Sequence, residues 1–120
     1  MLTSQIVELL GAKPVFIGNE ESLGADITSV FATDLMSDAL AMIQQSPETT
    51  LLLTGLCNPQ VLRTADMLDL HTIVFVRGKS PVNNCVELAD EMRLNLYTTC
   101  LDMYEACGLL YTAGVKGIET

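Results

Sequence analysis

The stretch "TLLLTGLCNPQVLRTADMLDLHTIVFVRG", residues 50–78, decides the fold because it holds two apolar strands joined by a helix. Segments 50–55 and 71–78 are continuous apolar runs, which are typical of strands covered on both faces. Between them, Asn58 and Pro59 are residue types that favour the start of a helix. A strand, a helix and another apolar strand in this order predict parallel neighbours in a covered sheet.

The same alternation extends outward from this stretch in both directions. It predicts helices within 2–12, 31–45, 58–70, 80–93 and 100–114, and strands within 14–18, 26–33, 50–55, 71–78 and 95–99. Residues 19–25 form a polar turn, and the tail 115–120 either adds an edge strand or stays loose. The fold class predicted is α/β, a three-layer α/β/α arrangement with a mostly parallel central sheet, as a single domain over residues 1–120.

Five helix starts are predicted from residue type. They are Thr3 or Ser4, Thr33 with Asp34 in the first turn, Asn58 with Pro59, Ser80 with Pro81, and Thr99 with Asp102. Gly11 is expected to end the first helix.

Composition excludes several classes of partner. Six basic residues stand against fifteen acidic ones, and a net charge of −9 would repel nucleic acid and anionic membranes. No apolar run reaches the length of a membrane span, and the beginning "MLTSQIVELLGAK" lacks the basic residues that start a signal peptide. We therefore expect a cytoplasmic protein that binds neither nucleic acid nor membrane.

Cysteine and histidine spacing gives no sign of a metal centre. Cys57, Cys85, Cys100 and Cys107 form no CxxC pair, and the single histidine, His71, stands apart from them. Cysteines in a cytosolic chain more often act as small apolar residues. We expect no metal, no cofactor and no disulfide.

Polar residues and glycines cluster where three predicted parallel strands end. Carboxyl ends of parallel strands share one sheet edge, where open α/β sheets bind ligands and where helix N-termini attract anions. The candidate contacts for a small anionic or nucleotide-like metabolite are Thr54, Gly55, Cys57, Asn58, Arg77, Gly78, Lys79, Thr98 and Thr99. The alternative is that the caps and glycines only shape loops, since neither GxGxxG nor GxxxxGK[ST] occurs.

Asp34, Ser37 and Asp38 surround the start of the second predicted helix and could border this pocket. Aspartates in a first helical turn are already explained by the helix dipole, so we do not predict a catalytic pair. For Cys57, the nearby helix N-terminus predicts a favoured thiolate, and the alternative is a half-buried spacer. No nucleophile, base and third orienting group can be assembled, so an enzyme is not expected.

Three phrases carry a family resemblance that covers nearly the whole chain. They are "TDLMSDALA" (33–41), "LLLTGLCNPQVLRTADMLDLHTIVFVRGKSP" (51–81) and "LYTTCLDMYEACGLLYTAG" (96–114), and together they resemble the stand-alone DRTGG domain. The namesake motif would fall in "GADITSV" (24–30), where Thr28 alone is retained. The resemblance implies a fold similar to the N-terminal domain of HPr kinase/phosphorylase.

Domains of this family accompany CBS regulatory domains in some pyrophosphatases and occur in some phosphotransacetylases. The resemblance therefore implies a regulatory or dimer-forming module, and together with the capped helix starts at the sheet edge it favours a non-catalytic regulatory or ligand-sensing module. The alternative is a structural or interaction module that acts through homodimerisation or a partner protein, which the six methionines and the apolar helices would suit.

Overall fold

The secondary structure alternates between strands and helices along nearly the whole chain. A computed structural model describes residues 1–81 and 84–118. Its strands are β1 (Lys13–Ile17), β2 (Ser29–Ala32), β3 (Thr50–Thr54), β4 (Thr72–Phe75), β5 (Asn95–Thr98) and β6 (Lys116–Gly117). Its helices are α1 (Thr3–Leu9), α2 (Met36–Met42), α3 (Pro59–Met67), α4 (Cys85–Met92) and α5 (Met103–Thr112). Short 3-10 turns cover Glu20–Gly24 and Pro47–Thr49.

One six-stranded sheet organises these elements, in the order β1-β5-β4-β3-β2-β6. Strands β2, β3, β4 and β5 run parallel to one another, and β6 is parallel to β2. Only β1, at the far edge from β6 among the described strands, is antiparallel, and it pairs with β5. The predicted α/β fold with a mostly parallel sheet is confirmed.

Helices cover both faces of the sheet, which gives the three predicted layers. On one face, α2, α3 and α4 pack against the sheet through Leu52, Ile73 and Phe75. On the other face, α1 and α5 pack against the alternate residues of the strands, such as Leu53 and Val74. Successive side chains of a strand point to opposite faces, so strands covered on both sides must be apolar throughout.

The central strands are the most deeply buried part of the molecule. Leu51, Leu52 and Leu53 of β3 are each 0% exposed, and β4 and β5 lie beside them in parallel register. The sequence prediction that these three strands are buried neighbours is confirmed.

Of the predicted helix starts, the one at Asn58 and Pro59 is confirmed. The Asn58 side chain accepts a hydrogen bond of 3.1 Å from the backbone N–H of Val61, and Pro59 occupies the first helical position. This arrangement fixes the direction in which α3 leaves the edge of the sheet.

The other four predicted helix starts are wrong in detail. α1 is preceded by Leu2, whose N–H binds the Gln5 side chain, and α2 begins at Met36, after the predicted Thr33 and Asp34. α4 begins at Cys85, so Ser80 and Pro81 precede it; the intervening residues 82–83 lie outside the described residues. α5 is capped by Asp102 instead of Thr99.

The start of the chain is tied to the segment before β2, and the last described residues join the edge of the sheet. The N-terminal ammonium lies 2.8 Å from the Asp26 carboxylate, and Gly11 takes a positive φ of 59° where α1 ends, as predicted. The tail adds the edge strand β6, while residues 119–120 lie outside the described residues. Among the helices of the described residues, none is long and apolar enough to cross a membrane.

Candidate functional site

The carboxyl ends of β2 and β3 are joined by Asp34. Its Oδ1 accepts a hydrogen bond of 2.6 Å from the backbone N–H of Gly55 and one of 3.3 Å from the hydroxyl of Thr54. Asp34 therefore holds the loop after β3 against the loop after β2, and its hydrogen-bonding capacity is partly used in doing so. This role explains the carboxylate without any catalytic task.

The loops after β4 and β5 are held together by their backbones. Arg77 and Gly78 both have positive φ, 62° and 65°, which turns their N–H groups towards the neighbouring loop. These N–H groups donate to the carbonyls of Leu101 and Thr99 at 2.7 Å each. The Thr98 hydroxyl donates to the carbonyl of Lys79 at 2.6 Å. The predicted residues after β4 and β5 thus meet at one edge.

The Arg77 guanidinium lies directly over Gly55. A Cβ atom at position 55 would stand 2.6 Å from Nη2 of Arg77 and 3.2 Å from Oδ1 of Asp34, so only glycine leaves this space open. Arg77 and Lys79 are exposed, and neither forms an ion pair with any residue in 1–81 or 84–118. Two cations without an ion pair to a described residue, separated by Gly78 in the chain, therefore stand at this edge.

All three predicted threonine hydroxyls are already used inside the fold: Thr98 donates to the carbonyl of Lys79, and the other two side chains are buried. Thr54 is 0% exposed and Thr99 is 1% exposed. The Thr54 hydroxyl donates to Asp34, and the Thr99 hydroxyl donates to the carbonyl of Leu10 at 2.6 Å. Both side chains therefore support the loops, and an incoming ligand would meet the exposed cations first.

Cys57 sits between this edge and the core. Burial raises the pKa of its thiol, and this effect outweighs the neighbouring charges of Lys79 and Arg77, which lower the pKa. The predicted preference for thiolate is thus reversed, because the low polarity of the half-buried position disfavours a charge. The alternative, a half-buried spacer, agrees with the structure.

Ser37 and Asp38 are exposed on the first turn of α2, at the edge where β2 ends. Asp38 lies where a carboxylate is favoured by the helix dipole. No three or more histidine, cysteine or carboxylate side chains among the described residues are placed to hold a metal ion.

Two cavities lined by described residues lie at the opposite, amino-terminal edge of the parallel strands. The larger, of about 640 Å³, lies between the end of α2 and the starts of β2 and β6. The smaller, of about 210 Å³, is lined by Asp66, Asp69, His71 and Arg93 among others. Sequence reasoning missed both, since no motif marks them and the choice of edge rested on the general rule for parallel sheets.

Comparison with known proteins supports the fold. One solved structure, the CBS and DRTGG domains of the regulatory region of Clostridium perfringens pyrophosphatase, complexed with the activator diadenosine tetraphosphate, superposes with a TM-score of 0.68. The two sequences are 17% identical, and the match covers 91% of this chain and 45% of that chain. This chain has a DRTGG-like fold. No protein-family model matches the sequence, and no curated protein matches it either.

Proposed function

We propose that this protein is a non-catalytic regulatory or ligand-sensing module that binds a small anionic or nucleotide-like metabolite at the carboxyl edge of its sheet. The observation that carries the proposal is the Arg77 guanidinium, exposed and unpaired among the described residues, next to Lys79 and over the Cβ-free surface of Gly55. Guanidinium groups bind phosphate and carboxylate through two parallel hydrogen bonds.

The net charge of −9 makes this pair of cations unusual within the molecule. The overall field opposes an anion at a distance, so the contacts at the edge must overcome it. A hydrogen bond to a charged group contributes about 1.5–3 kcal/mol, so two or three such bonds contribute about 3–9 kcal/mol, against about 4 kcal/mol for a millimolar dissociation constant. The structural neighbour, a regulatory region in complex with a nucleotide activator, supports the class of ligand.

Thermal shift measurements test this proposal. We expect a nucleotide or phosphorylated metabolite from a panel that includes ATP and diadenosine tetraphosphate to raise the melting temperature, since a ligand selective for the folded state stabilises it. Arg77→Ala should weaken binding by about ten- to a hundredfold, equivalent to about 1.4–2.8 kcal/mol. Arg63→Ala is the matched control, because Arg63 is an exposed arginine on α3, beyond its capped first turn.

Equal losses of affinity in the Arg77 and Arg63 variants would contradict the placement, since the effect would then follow net charge alone. A stabilising ligand whose affinity is unchanged by Arg77→Ala would also contradict it. A panel in which no anion stabilises the protein would remove the ligand-sensing proposal itself.

A second candidate function, an interaction module acting through homodimerisation, is favoured by the outer face of α5. Tyr104 and Tyr111 are 87% and 78% exposed and are seven residues apart, which places them on the same side of the helix. Glu105 is the single charged residue of α5. A second copy of an acidic chain meets least repulsion where the surface carries few charges, which makes this face suited to self-association.

Light scattering at high micromolar concentration tests the homodimer. We expect a mass of twice the 13.0 kDa chain, and a return to the monomer in Tyr104→Glu and Tyr111→Glu, which place a carboxylate on the proposed contact. Met67→Glu is the control, because Met67 is also strongly exposed but belongs to α3. A wild-type chain that remains monomeric would exclude this function.

A further inference from the structure

The larger cavity has a lining whose chemistry selects a ligand. Its volume of about 640 Å³ falls in the range of small-molecule sites. Met42 and Ile118 supply apolar surface, while Thr28, Ser29, Gln44 and Lys116 supply polar groups. Lys116 is the one charged side chain among the described residues that line it, and none of those residues carries a carboxylate.

The positions of the polar groups follow from the pairing of the strands. Ser29 lies opposite Lys116 in the parallel pair of β2 and β6, and opposite Thr50 in the pair of β2 and β3. In matched register these three residues form a row across the starts of three strands. Ile118 packs on the same face as α2, which places Lys116, two residues earlier, on that face as well.

The hydroxyl protons of this row are directed away from the cavity. The Thr50 hydroxyl donates to the carbonyl of Ser46 at 3.0 Å, so its contact with the Ser29 hydroxyl at 2.9 Å must use the proton of Ser29. The Thr28 hydroxyl donates to Thr49 at 3.0 Å, and Thr49 donates to the same carbonyl of Ser46 at 3.1 Å. Ser29 and Thr28 are therefore left with lone pairs that can only accept.

Lys116 has the opposite capacity. An ammonium group carries three donors and no acceptor, and Lys116 forms no ion pair with a described residue. The cavity thus offers one cation for an anionic group, hydroxyl acceptors for N–H donors, and apolar surface between α2 and β6. One lysine matches the single charge of a carboxylate.

We propose that this cavity is a second ligand site, separate from the carboxyl edge, for a small organic acid that carries N–H donors, as amino acids and dipeptides do. The carboxylate pairs with Lys116, the N–H groups donate to the hydroxyl oxygens of Ser29 and Thr28, and an aliphatic side chain packs on Met42 and Ile118. Amino acids and dipeptides share the carboxylate and the N–H donors, and they differ in length.

Isothermal titration calorimetry with three probes tests the site. L-leucine represents amino acids, L-alanyl-L-leucine represents dipeptides, and 4-methylpentanoate keeps the carboxylate and the aliphatic chain without an N–H donor. We expect one of the first two to bind at millimolar concentration or below, and 4-methylpentanoate to bind at least about tenfold more weakly. Which of the two binds more tightly identifies the source. Backbone amide NMR shifts at Ser29 and Gly117 report the location.

Lys116→Gln should weaken binding by at least about tenfold. Lys13→Gln is the matched control, since Lys13 is an exposed lysine on β1, at the opposite side of the sheet, and its loss changes the net charge equally. Arg77→Ala should leave binding of these probes unchanged, which separates this site from the proposed function.

The proposal is overturned if neither L-leucine nor the dipeptide binds at about 10 mM, well above the 1 mM dissociation constant of a weak site. It is overturned as well if 4-methylpentanoate binds equally, or if Lys116→Gln and Lys13→Gln have the same effect.

Discussion

The two edges of the parallel sheet use their polar residues in opposite ways. At the carboxyl edge, the loops after β2, β3, β4 and β5 are joined by Asp34, Thr98 and the backbones of Arg77 and Gly78. What remains exposed there are the two cations Arg77 and Lys79, beside the carboxylates of Asp34 and Asp38. At the amino edge, the carbonyl of Ser46 accepts hydrogen bonds from the hydroxyls of Thr49 and Thr50. The cavity beside them is lined by hydroxyl oxygens that can accept further hydrogen bonds.

This difference shows that polar residues near strand ends do not all indicate a ligand site, because some of them only satisfy the hydrogen bonds of the loops. At the carboxyl edge, buried backbone N–H groups need partners, and side chains such as Asp34 supply them. At the amino edge, the cavity arises where the seven-residue helix α2 ends beside the edge strand β6. Strand ends predict where polar groups gather, whereas the lengths of packed elements decide where space is left.

The largest effect is expected from a matched pair of glycine substitutions, one at each edge. Gly18→Ala would place a Cβ 2.6 Å from the backbone oxygens of Ala89 and Leu94, so the backbone itself must move. We expect it to lower the free energy of unfolding by about 3 kcal/mol. Gly55→Ala meets the side-chain tips of Arg77 and Asp34 instead, and we expect a loss below about 1 kcal/mol.

Urea unfolding of both variants measures this difference. Equal losses would show that the two edges are packed with the same rigidity, contrary to the comparison. Gly55→Ala should also displace the Arg77 guanidinium and weaken any anion bound there, although the fold is retained.

A smaller effect is expected from the two aspartates near the start of α2. Asp34→Ala removes the acceptor for the Gly55 N–H, which is buried, and should cost about 2 kcal/mol of unfolding free energy. Asp38→Ala removes an exposed carboxylate in the first turn of α2 and should cost about 0.5 kcal/mol. If chemical unfolding gives equal costs, the assignment of Asp34 as the link between two loops is wrong.

The sequence predicted the layers of this fold better than the details of its loops. The apolar runs of β3 and β4 and the Asn58–Pro59 helix start were identified correctly because they depend on local composition and on burial of both strand faces. The starts of α2 and α5 were misplaced, since several residues in each loop can cap a helix and tertiary contacts decide among them. Thr99, for example, is a suitable cap by type, but its hydroxyl binds the carbonyl of Leu10.

For the candidate site, the sequence predicted which loops converge but not which side chains remain available. Topology brings Arg77, Gly55 and Thr98 to one edge, and this follows from parallel strands alone. The burial of Thr54 and the hydrogen bond of Asp34 to Gly55 depend on side-chain packing across loops, which one sequence does not reveal. The cavity beside Lys116 depends on β6, a two-residue strand too short for a periodic pattern.

The smallest effect is expected at Cys57, where the two influences at the carboxyl edge oppose each other. Thiolate is the reactive form, and burial raises the pKa of Cys57 while Lys79 and Arg77 lower it. Alkylation at pH 8 should therefore be slower at Cys57 than at the exposed Cys100, and slower still in Lys79→Ala, measured by mass spectrometry. Faster alkylation at Cys57 would mean that the cations, not burial, dominate this edge.

The same raised pKa has a consequence for stability. The folded state holds the Cys57 proton more tightly than the unfolded chain does, so its contribution is fully present below the ordinary cysteine pKa of about 8.5. That contribution is lost as the pH rises through the higher pKa of the folded state. Burial also raises the pKa values of Cys107 and Tyr97, so these two groups change the stability in the same direction. Urea unfolding should thus become easier as the pH rises above about 8.5, and less so in Cys57→Ala. If the unfolding free energy of Cys57→Ala depends on pH in the same way as that of the wild type, the thiol has the same pKa in the folded and unfolded states. Cys57 would then be more hydrated than its packing implies.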